Sequence, residues 1–107
     1  MIKVQIKPLS VNEAWQGKRF KTPKYSKYER DLLFLLPKIS LPLPPYRITF
    51  EFGLSSKLAD WDNPIKPTQD VMQKKYGFND KDIIEARVTK KLTKKGQEYF
   101  KFLIETV

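Results

Sequence analysis

Acidic residues are concentrated in one part of a strongly basic chain. The protein has 107 residues and a formal net charge of +9, with 21 lysines and arginines against 12 acids. Carboxylates that lie close together repel one another unless a positive group lies among them, and in proteins a divalent cation such as Mg²⁺ or Mn²⁺ often fills this role. Five of the six aspartates fall within 23 residues of sequence, at Asp60, Asp62, Asp70, Asp80 and Asp82.

Two of these aspartates have a spacing that suits one ion. In extended backbone, residues i and i+2 point to the same side, so Asp60 and Asp62 are predicted to converge. Lys66 follows Asp62 by four residues, about one turn into a predicted helix. A third carboxylate, from Asp80 or Asp82, is expected to arrive from the loop after that helix. The pattern predicts a metal site with a lysine beside it.

The charge of the chain indicates what such a site acts on. A large excess of lysine and arginine favours a polyanionic partner, most often nucleic acid. Acids within a phosphate-binding surface cost affinity unless a divalent ion reverses the local sign. The predicted chemistry is therefore metal-dependent phosphodiester hydrolysis, in which the ion activates water and Lys66 with the helix N-terminus holds phosphate oxygens. In the alternative interpretation the acids only cap a helix, and the protein is a non-catalytic DNA- or RNA-binding module.

Composition excludes several other classes of site. The chain has no histidine and no cysteine, which removes Ser-His and Cys-His catalysis, disulfides and zinc sites of the Cys/His kind. No apolar run approaches the roughly 20 residues of a membrane span, and the N-terminus lacks the apolar stretch of a secretory signal. We expect a cytoplasmic protein with no membrane association and no small-molecule cofactor.

Apolar periodicity predicts an α+β fold for the chain 1–107 as one small domain. A strand is predicted near Ile2–Ile6, a loop up to Thr22, and a helix that starts at Thr22-Pro23 and stops before Pro37. The clearest strand is 46–54, and a second helix is predicted from Asn63-Pro64 to Gly77. Alternation at 84–88 and 100–104 around a glycine turn predicts a hairpin. The elements together predict one mixed sheet of about four strands with two helices packed on it.

The acidic stretch carries the pattern D-x-D-N-x-x-K-P-x-x-D, followed by G-F-x-D ahead of a strand. The pattern is formed by Asp60, Asp62, Asn63, Lys66, Pro67, Asp70, Gly77, Phe78 and Asp80. It resembles the RusA family of Holliday-junction resolvases, which is common in phages and prophages. An N-terminal P-x-S-x-N with a following aromatic residue extends the resemblance to nearly the whole chain, at Pro8, Ser10, Asn12 and Trp15.

The resemblance implies an activity and roles for individual residues. Members of this family are small α+β homodimers that cut four-way DNA junctions by paired symmetrical nicks, using Mg²⁺ or Mn²⁺. Carried over by position, the metal-binding and catalytic aspartates are Asp60, Asp62 and Asp80, with Lys66 as a further catalytic residue. Asn63, Asp70 and Asp82 are predicted to support this set without binding the ion, and the i,i+4 spacing of Asp70 suits it to orient Lys66.

A basic and aromatic segment near residue 20 is predicted to bind DNA. The DNA-binding residues predicted there and on the second helix are Lys18, Arg19, Lys21, Lys24, Lys27 and Lys66. The tyrosines of the segment, Tyr25 and Tyr28, are expected in the core. The apolar run 32–36 is expected to be buried in the core or at a dimer interface. Lys94 and Lys95 are expected to be simply exposed.

Overall fold

The most regular apolar alternation of the sequence forms the central strand of the fold. The computed structural model describes residues 1–17 and 20–107, and this strand is β4 (Tyr46–Leu54). Its alternate residues Ile48, Phe50 and Phe52 are buried on one face of the sheet. Around β4 the chain forms β1 (Ile2–Val4), α1 (Val11–Ala14), β2 (Trp15–Gln16), β3 (Phe20–Lys21), α2 (Pro23–Leu35), α3 (Ile65–Tyr76), a 3₁₀ turn (Asp80–Asp82), β5 (Ile83–Leu92) and β6 (Tyr99–Thr106).

The predicted fold class is confirmed. The described residues form a single small α+β domain with a four-stranded mixed sheet, a separate two-stranded sheet and three helices. The loop predicted up to Thr22 is wrong in detail, because this segment contains α1 and the two-stranded sheet of β2 and β3. In the part of the chain that the structure describes, no helix has the length and apolar character needed to cross a membrane.

The strand order shows that the predicted hairpin is also wrong. The order in the main sheet is β1-β6-β4-β5, so β4 lies between β5 and β6. β5 is parallel to β4, and β6 is antiparallel to both β4 and β1. β4 is the most apolar strand. Its backbone is best shielded from water when a hydrogen-bonded strand lies on each side of it. The link between β5 and β6 crosses the end of β4, where the Thr93 N–H donates to the Leu54 carbonyl at 2.9 Å.

The two longer helices pack on the aromatic face of the sheet. Phe50, Phe52, Phe100 and Phe102 lie side by side there, with ring centroids 5.2–6.4 Å apart. α2 and α3 are joined over this layer by a buried hydrogen bond of 2.7 Å between the hydroxyls of Tyr28 and Thr68. Burial raises the pKa of the Tyr28 phenol. This packing fixes α3, and with it the segments that carry the acids at its two ends.

The starts of the two helices differ from each other in their capping. The Thr22 side chain accepts from the Tyr25 N–H at 3.2 Å and Pro23 is the first residue of α2, as predicted. α3 begins at Ile65, two residues later than predicted, with Pro64 at the cap position and no side-chain cap. This later start places Pro67 in the first turn of α3, where a backbone N–H has no intrahelical partner to lose.

The apolar run at the end of α2 is only partly buried. Leu32 and Leu36 are in the core, as expected. Phe34 has 87% of its surface exposed, so it is not in the core, and the alternative of a dimer interface stays a prediction for it. The side chain points away from the sheet because residues two apart lie on different sides of a helix.

The close approach of Tyr99 to Gly53 leads to a stability prediction. A β-carbon added at Gly53 would clash with the ring of Tyr99, whose hydroxyl donates a hydrogen bond to the Glu51 carboxylate at 2.7 Å. We expect Gly53→Ala to lower the free energy of unfolding by about 1–3 kcal/mol, because the ring must move. Chemical denaturation measures this. In a Tyr99→Ala background the same change should cost much less, and an equal cost in both backgrounds would contradict the steric explanation.

Candidate functional site

Asp60 and Asp62 lie in tight turns between β4 and α3. The Asn63 N–H donates to the Asp60 carbonyl at 3.4 Å, and the Ile65 N–H donates to the Asp62 carbonyl at 3.1 Å. The prediction of extended backbone here is therefore wrong, and the i,i+2 argument that placed both carboxylates on one side does not apply. The turns belong to the ten-residue link, 55–64, in which the chain leaves the end of β4 and reverses into α3.

This loop is anchored to two neighbouring elements. The Lys90 ammonium, on β5, donates to the carbonyls of Lys57 at 3.1 Å and Ala59 at 2.5 Å. The Asn63 carbonyl accepts from the Val11 N–H at 2.8 Å, at the start of α1. The backbone on both sides of Asp60 is thus held by specific bonds, while the supporting role predicted for Asn63 stays a prediction.

A cleft of about 320 Å³ opens beside Asp60. One of its walls is fixed by Glu98, which is buried and accepts from the Ser55 hydroxyl at 2.9 Å and from the Gly96 N–H at 2.8 Å. Hydrogen bonds from its own backbone N–H, then from Ser55 and Gly96, lower the pKa of the Glu98 carboxyl. The lining includes both charges and apolar groups: Lys7, Pro8, Ser10, Glu13, Leu54, Ser55, Ser56, Leu58, Ala59, Asp60, Asn63, Pro64 and Glu98.

Asp80 lies at the other end of α3. The turns with Asp60 and Asp62 precede this helix, and the 3₁₀ turn with Asp80 and Asp82 follows it. The twelve residues of α3 span about 18 Å at the usual helical rise. Among residues 1–17 and 20–107, no three acidic side chains come together closely enough to hold a metal ion. The expected meeting of Asp60, Asp62 and Asp80 at one ion does not occur within one chain.

The same four aspartates stand apart from the other acids in their contacts. Each of the other eight acids of the chain makes an ion pair or a side-chain hydrogen bond: Glu13, Glu29, Asp31, Glu51, Asp70, Glu85, Glu98 and Glu105. With the described residues, the side chains of the remaining four make neither: Asp60, Asp62, Asp80 and Asp82. In a chain with nearly twice as many bases as acids, these carboxylates are the ones left available for a ligand.

The predicted DNA-binding lysines are largely paired with acids. Lys21 forms a salt bridge with Glu29 at 2.7 Å, Lys24 with Glu13 at 2.9 Å, and Lys27 with Asp31 at 2.6 Å. Burial raises the pKa of Glu29, but the hydrogen bonds from Lys21 and from Lys74 outweigh it, so the pKa is lowered overall. Lysines whose charge is offset locally attract a phosphate backbone less strongly. The other two predicted residues of this segment, Lys18 and Arg19, lie outside the described residues.

Lys66 occupies the position expected for it at the start of α3. Its ammonium is 3.0 Å from the Asp70 carboxylate, so the predicted i,i+4 pair is present. The Lys66 side chain is 58% exposed, and an exposed pair of this kind contributes only about 0–1 kcal/mol. The pair therefore orients Lys66 while leaving it free to exchange Asp70 for a phosphate oxygen.

A second group of lysines, not predicted as a binding surface, lies around the end of β4, where the acidic loop begins. Within the described part of the chain they make no ion pair, and we call them the basic end: Lys7, Lys57, Lys90, Lys91, Lys94 and Lys95. The parallel register sets Lys91 beside Gly53 at the end of β4, and Thr93 bonds Leu54 just before Lys94. The sequence does show lysines next to the ends of predicted strands. Only the strand order, however, reveals that these strand ends lie together.

Comparison with protein-family models and with curated proteins gives no match. No protein-family model matches the chain. No curated protein matches it either. The resemblance to RusA resolvases therefore stays a prediction that depends on the residues at positions 60–80 and on the N-terminal pattern.

The anchor at Lys90 leads to a prediction about the acidic loop. We expect Lys90→Met to speed amide hydrogen exchange in residues 57–62 by about fivefold, since a half-exposed charged hydrogen bond contributes about 1 kcal/mol. Exchange followed by mass spectrometry or NMR measures this. Lys91→Met is the matched control, because Lys91 is exposed and its ammonium makes no bond to the described residues. Equal exchange in the two variants would contradict the anchoring role.

Proposed function

We propose that the protein is a structure-specific endodeoxyribonuclease that hydrolyses phosphodiester bonds in branched DNA, four-way junctions in particular, with Mg²⁺ or Mn²⁺ as cofactor. The observation that carries the proposal is the set of four aspartates without partners. Three of them, Asp60, Asp62 and Asp80, are acids of the motif, and Asp60 lines the cleft together with Lys7, which makes no ion pair with the described residues. The preference for four-way junctions is supported by the RusA resemblance alone.

The charge arrangement suits a phosphodiester strand. The exposed lysines of the basic end can neutralise phosphates, which supplies affinity independent of sequence. The strand would then pass the turns that hold Asp60 and Asp62. Lys66 and the free N–H groups at the start of α3 are near the same turns and can bind phosphate oxygens. Binding and the candidate reactive groups therefore share one end of the molecule.

The donor set of one chain does not complete a metal site. Asp60 and Asp62 have exposed carboxylates, the ligand type that Mg²⁺ and Mn²⁺ prefer. Two carboxylates in successive turns fall short of the three predicted, and the third lies across α3. We therefore assign no reaction step to an ion held by a single chain.

A non-catalytic nucleic-acid-binding module is the second candidate. The absence of a three-carboxylate group within the described residues of one chain favours it. This candidate, however, explains the acids as helix caps, whereas no side chain caps α3. The two candidates differ in whether bound DNA is cut and in whether divalent ions matter.

The first test of the proposal is Asp62→Asn. We expect this variant to nick a labelled synthetic four-way junction at least about 100-fold more slowly than the wild type, because a charged group at the reacting phosphate is lost. Junction binding should be equal or tighter, since one repulsive charge is removed. EDTA should abolish nicking by the wild type, and a linear duplex should be cut much less than the junction.

Asp31→Asn is the control for that test. Asp31 is an aspartate on α2 that pairs with Lys27, and its removal should leave nicking near the wild-type rate. A wild type that binds junctions but never nicks them, with or without Mg²⁺ or Mn²⁺, would support the binding module. Full nicking by Asp62→Asn would refute the role given to the acidic loop.

A second test concerns where DNA binds. We expect the double variant Lys94→Gln/Lys95→Gln to lower the slope of log affinity against log salt concentration by about 2, or roughly one per lost phosphate contact. Lys24→Gln/Lys27→Gln removes the same charge from lysines already paired with acids, and it should change the slope less. Fluorescence anisotropy over a salt series measures both. A larger change of the slope in Lys24→Gln/Lys27→Gln than in Lys94→Gln/Lys95→Gln would instead indicate that DNA binds the segment near residue 20, as predicted from the sequence.

A further inference from the structure

The cleft beside Asp60 has the size of a binding site for one small group. Its volume of about 320 Å³ lies at the lower end of the roughly 300–1,000 Å³ of small-molecule sites in proteins. Pro8, Leu54 and Pro64 give the cleft apolar walls, and a few polar side chains also line it. Such a lining suits a flat group with apolar faces and polar edges.

The charges of the lining determine which part of a nucleotide can enter the cleft. Among the described residues, the lining has three carboxylates, at Glu13, Asp60 and Glu98, and one lysine, Lys7. Glu13 is paired with Lys24, and the two other carboxylates still exceed the single charge of Lys7. A phosphate is repelled by this excess and is better placed at the lysines outside the cleft. The uncharged base is therefore the part of a nucleotide that the cleft accepts.

Glu98 holds its carboxylate at a fixed position in the wall of the cleft. The residue is only 6% exposed, and its carboxylate accepts from the Ser55 hydroxyl and the Gly96 N–H. The Glu98 carbonyl also accepts from the side-chain amide of Gln5 at 2.9 Å. An ionised carboxylate offers about four acceptor positions, so Glu98 can accept a further bond from a group in the cleft. The ring N–H and amino groups of an unpaired base are donors of this kind.

Leu58 lies at the rim of the same cleft, at the tip of a tight turn. The Ala59 N–H donates to the Ser56 carbonyl at 3.4 Å, and the Leu58 N–H donates to the Ser56 hydroxyl at 3.2 Å. The carbonyls on either side of Leu58, those of Lys57 and Ala59, both accept from the Lys90 ammonium. The backbone is thus held on both sides of Leu58, while its side chain is 92% exposed.

A leucine presented in this way suits insertion into a stack of bases. Single exposed leucines are ordinary on protein surfaces. Leu58 differs because its turn is restrained, it borders a cleft, and it precedes Asp60 by two residues. Proteins that kink or open DNA insert apolar side chains such as leucine between base steps. The bases at a branch are the easiest to displace, because the continuous duplex is interrupted there.

We propose that one base at the branch of the DNA leaves the stack and enters this cleft, where Glu98 accepts a hydrogen bond from its edge, while Leu58 fills the place that the base has left. The inference rests on the proposed binding of branched DNA, but it does not require hydrolysis. Because Asp60 lines the same cleft, the backbone next to the displaced base passes the acidic turns. A continuous duplex, whose bases are costlier to displace, is held there less well.

The displacement is tested by the fluorescence of 2-aminopurine placed at the branch of a four-way junction. This base is quenched within a stack and brightens when it leaves the stack, and EDTA prevents any cutting during the measurement. We expect the wild type at saturation to raise the emission severalfold, and Leu58→Ser to raise it much less, because no apolar group then fills the gap. The Leu58 side chain is exposed, so the variant should keep its fold, which circular dichroism checks.

Leu43→Ser is the matched control for that measurement. Leu43 is also a strongly exposed leucine, at 79%, but it precedes β4, whereas the cleft lies beyond the other end of this strand. The control variant should brighten 2-aminopurine as the wild type does. An unchanged emission with the wild type, a full rise with Leu58→Ser or a lost rise with Leu43→Ser would each overturn the proposal.

The role of the cleft is tested with a second junction from which the base at the branch has been removed. Glu98→Gln should bind the complete junction about tenfold more weakly than the wild type, since a hydrogen bond to a charged acceptor is lost. Both proteins should bind the abasic junction equally. Equal losses on the two junctions would overturn the contact with Glu98, and tighter binding by Glu98→Gln would show that phosphate occupies the cleft. If Glu98→Gln unfolds, the emission measurement decides the proposal by itself.

The two measurements also separate this inference from the proposed function. A protein that brightens 2-aminopurine in the junction but never nicks DNA would refute the nuclease function and leave the base-binding cleft intact. A nuclease that cuts the junction without any rise in emission would do the reverse. A protein that does not bind the junction at all would refute both.

Discussion

The burial of β4 determines the rest of the architecture. Its apolar face and its backbone are both covered only when it has a strand on each side and helices over its aromatic layer. β6 takes one side, and the other is taken by β5, which must be reached through α3 because the two strands are parallel. This crossover has two effects. It leaves β5 at the edge of the sheet, and it puts the length of a helix between two acidic segments that are close in sequence.

Pairing of charges separates structural acids from candidate functional ones. Most acids of the chain contact a lysine, an arginine or a hydrogen-bond donor, and the sheet's open face is covered by such contacts, as in the group Arg47, Glu85 and Arg87. The aspartates of the two turns are exceptions within the described residues, and so are the lysines at the basic end. Exposed pairs stabilise a fold only slightly, so leaving these groups unpaired costs the fold little and keeps them available to bind a ligand.

The sequence predicted elements better than their arrangement. The bounds of α2, the position of β4 and the glycine at the end of α3 followed from local rules on caps, alternation and left-handed backbone. Whether β5 pairs with β6 or with β4 depends on which strand most needs two neighbours, and periodicity does not carry that information. The same limit affected the site. Motif spacing selected Asp60, Asp62 and Asp80, which prove to have no partners among the described residues. It could not show that α3 separates Asp80 from the other two or that distant lysines meet at the end of β4.

Lys90 joins two regions that would otherwise be independent. Its backbone belongs to the edge strand, and its ammonium holds the turn before Asp60. Any contact that orders β5 therefore also restrains the acidic turn, and a disturbance of the turn is transmitted to the edge strand without passing through the core.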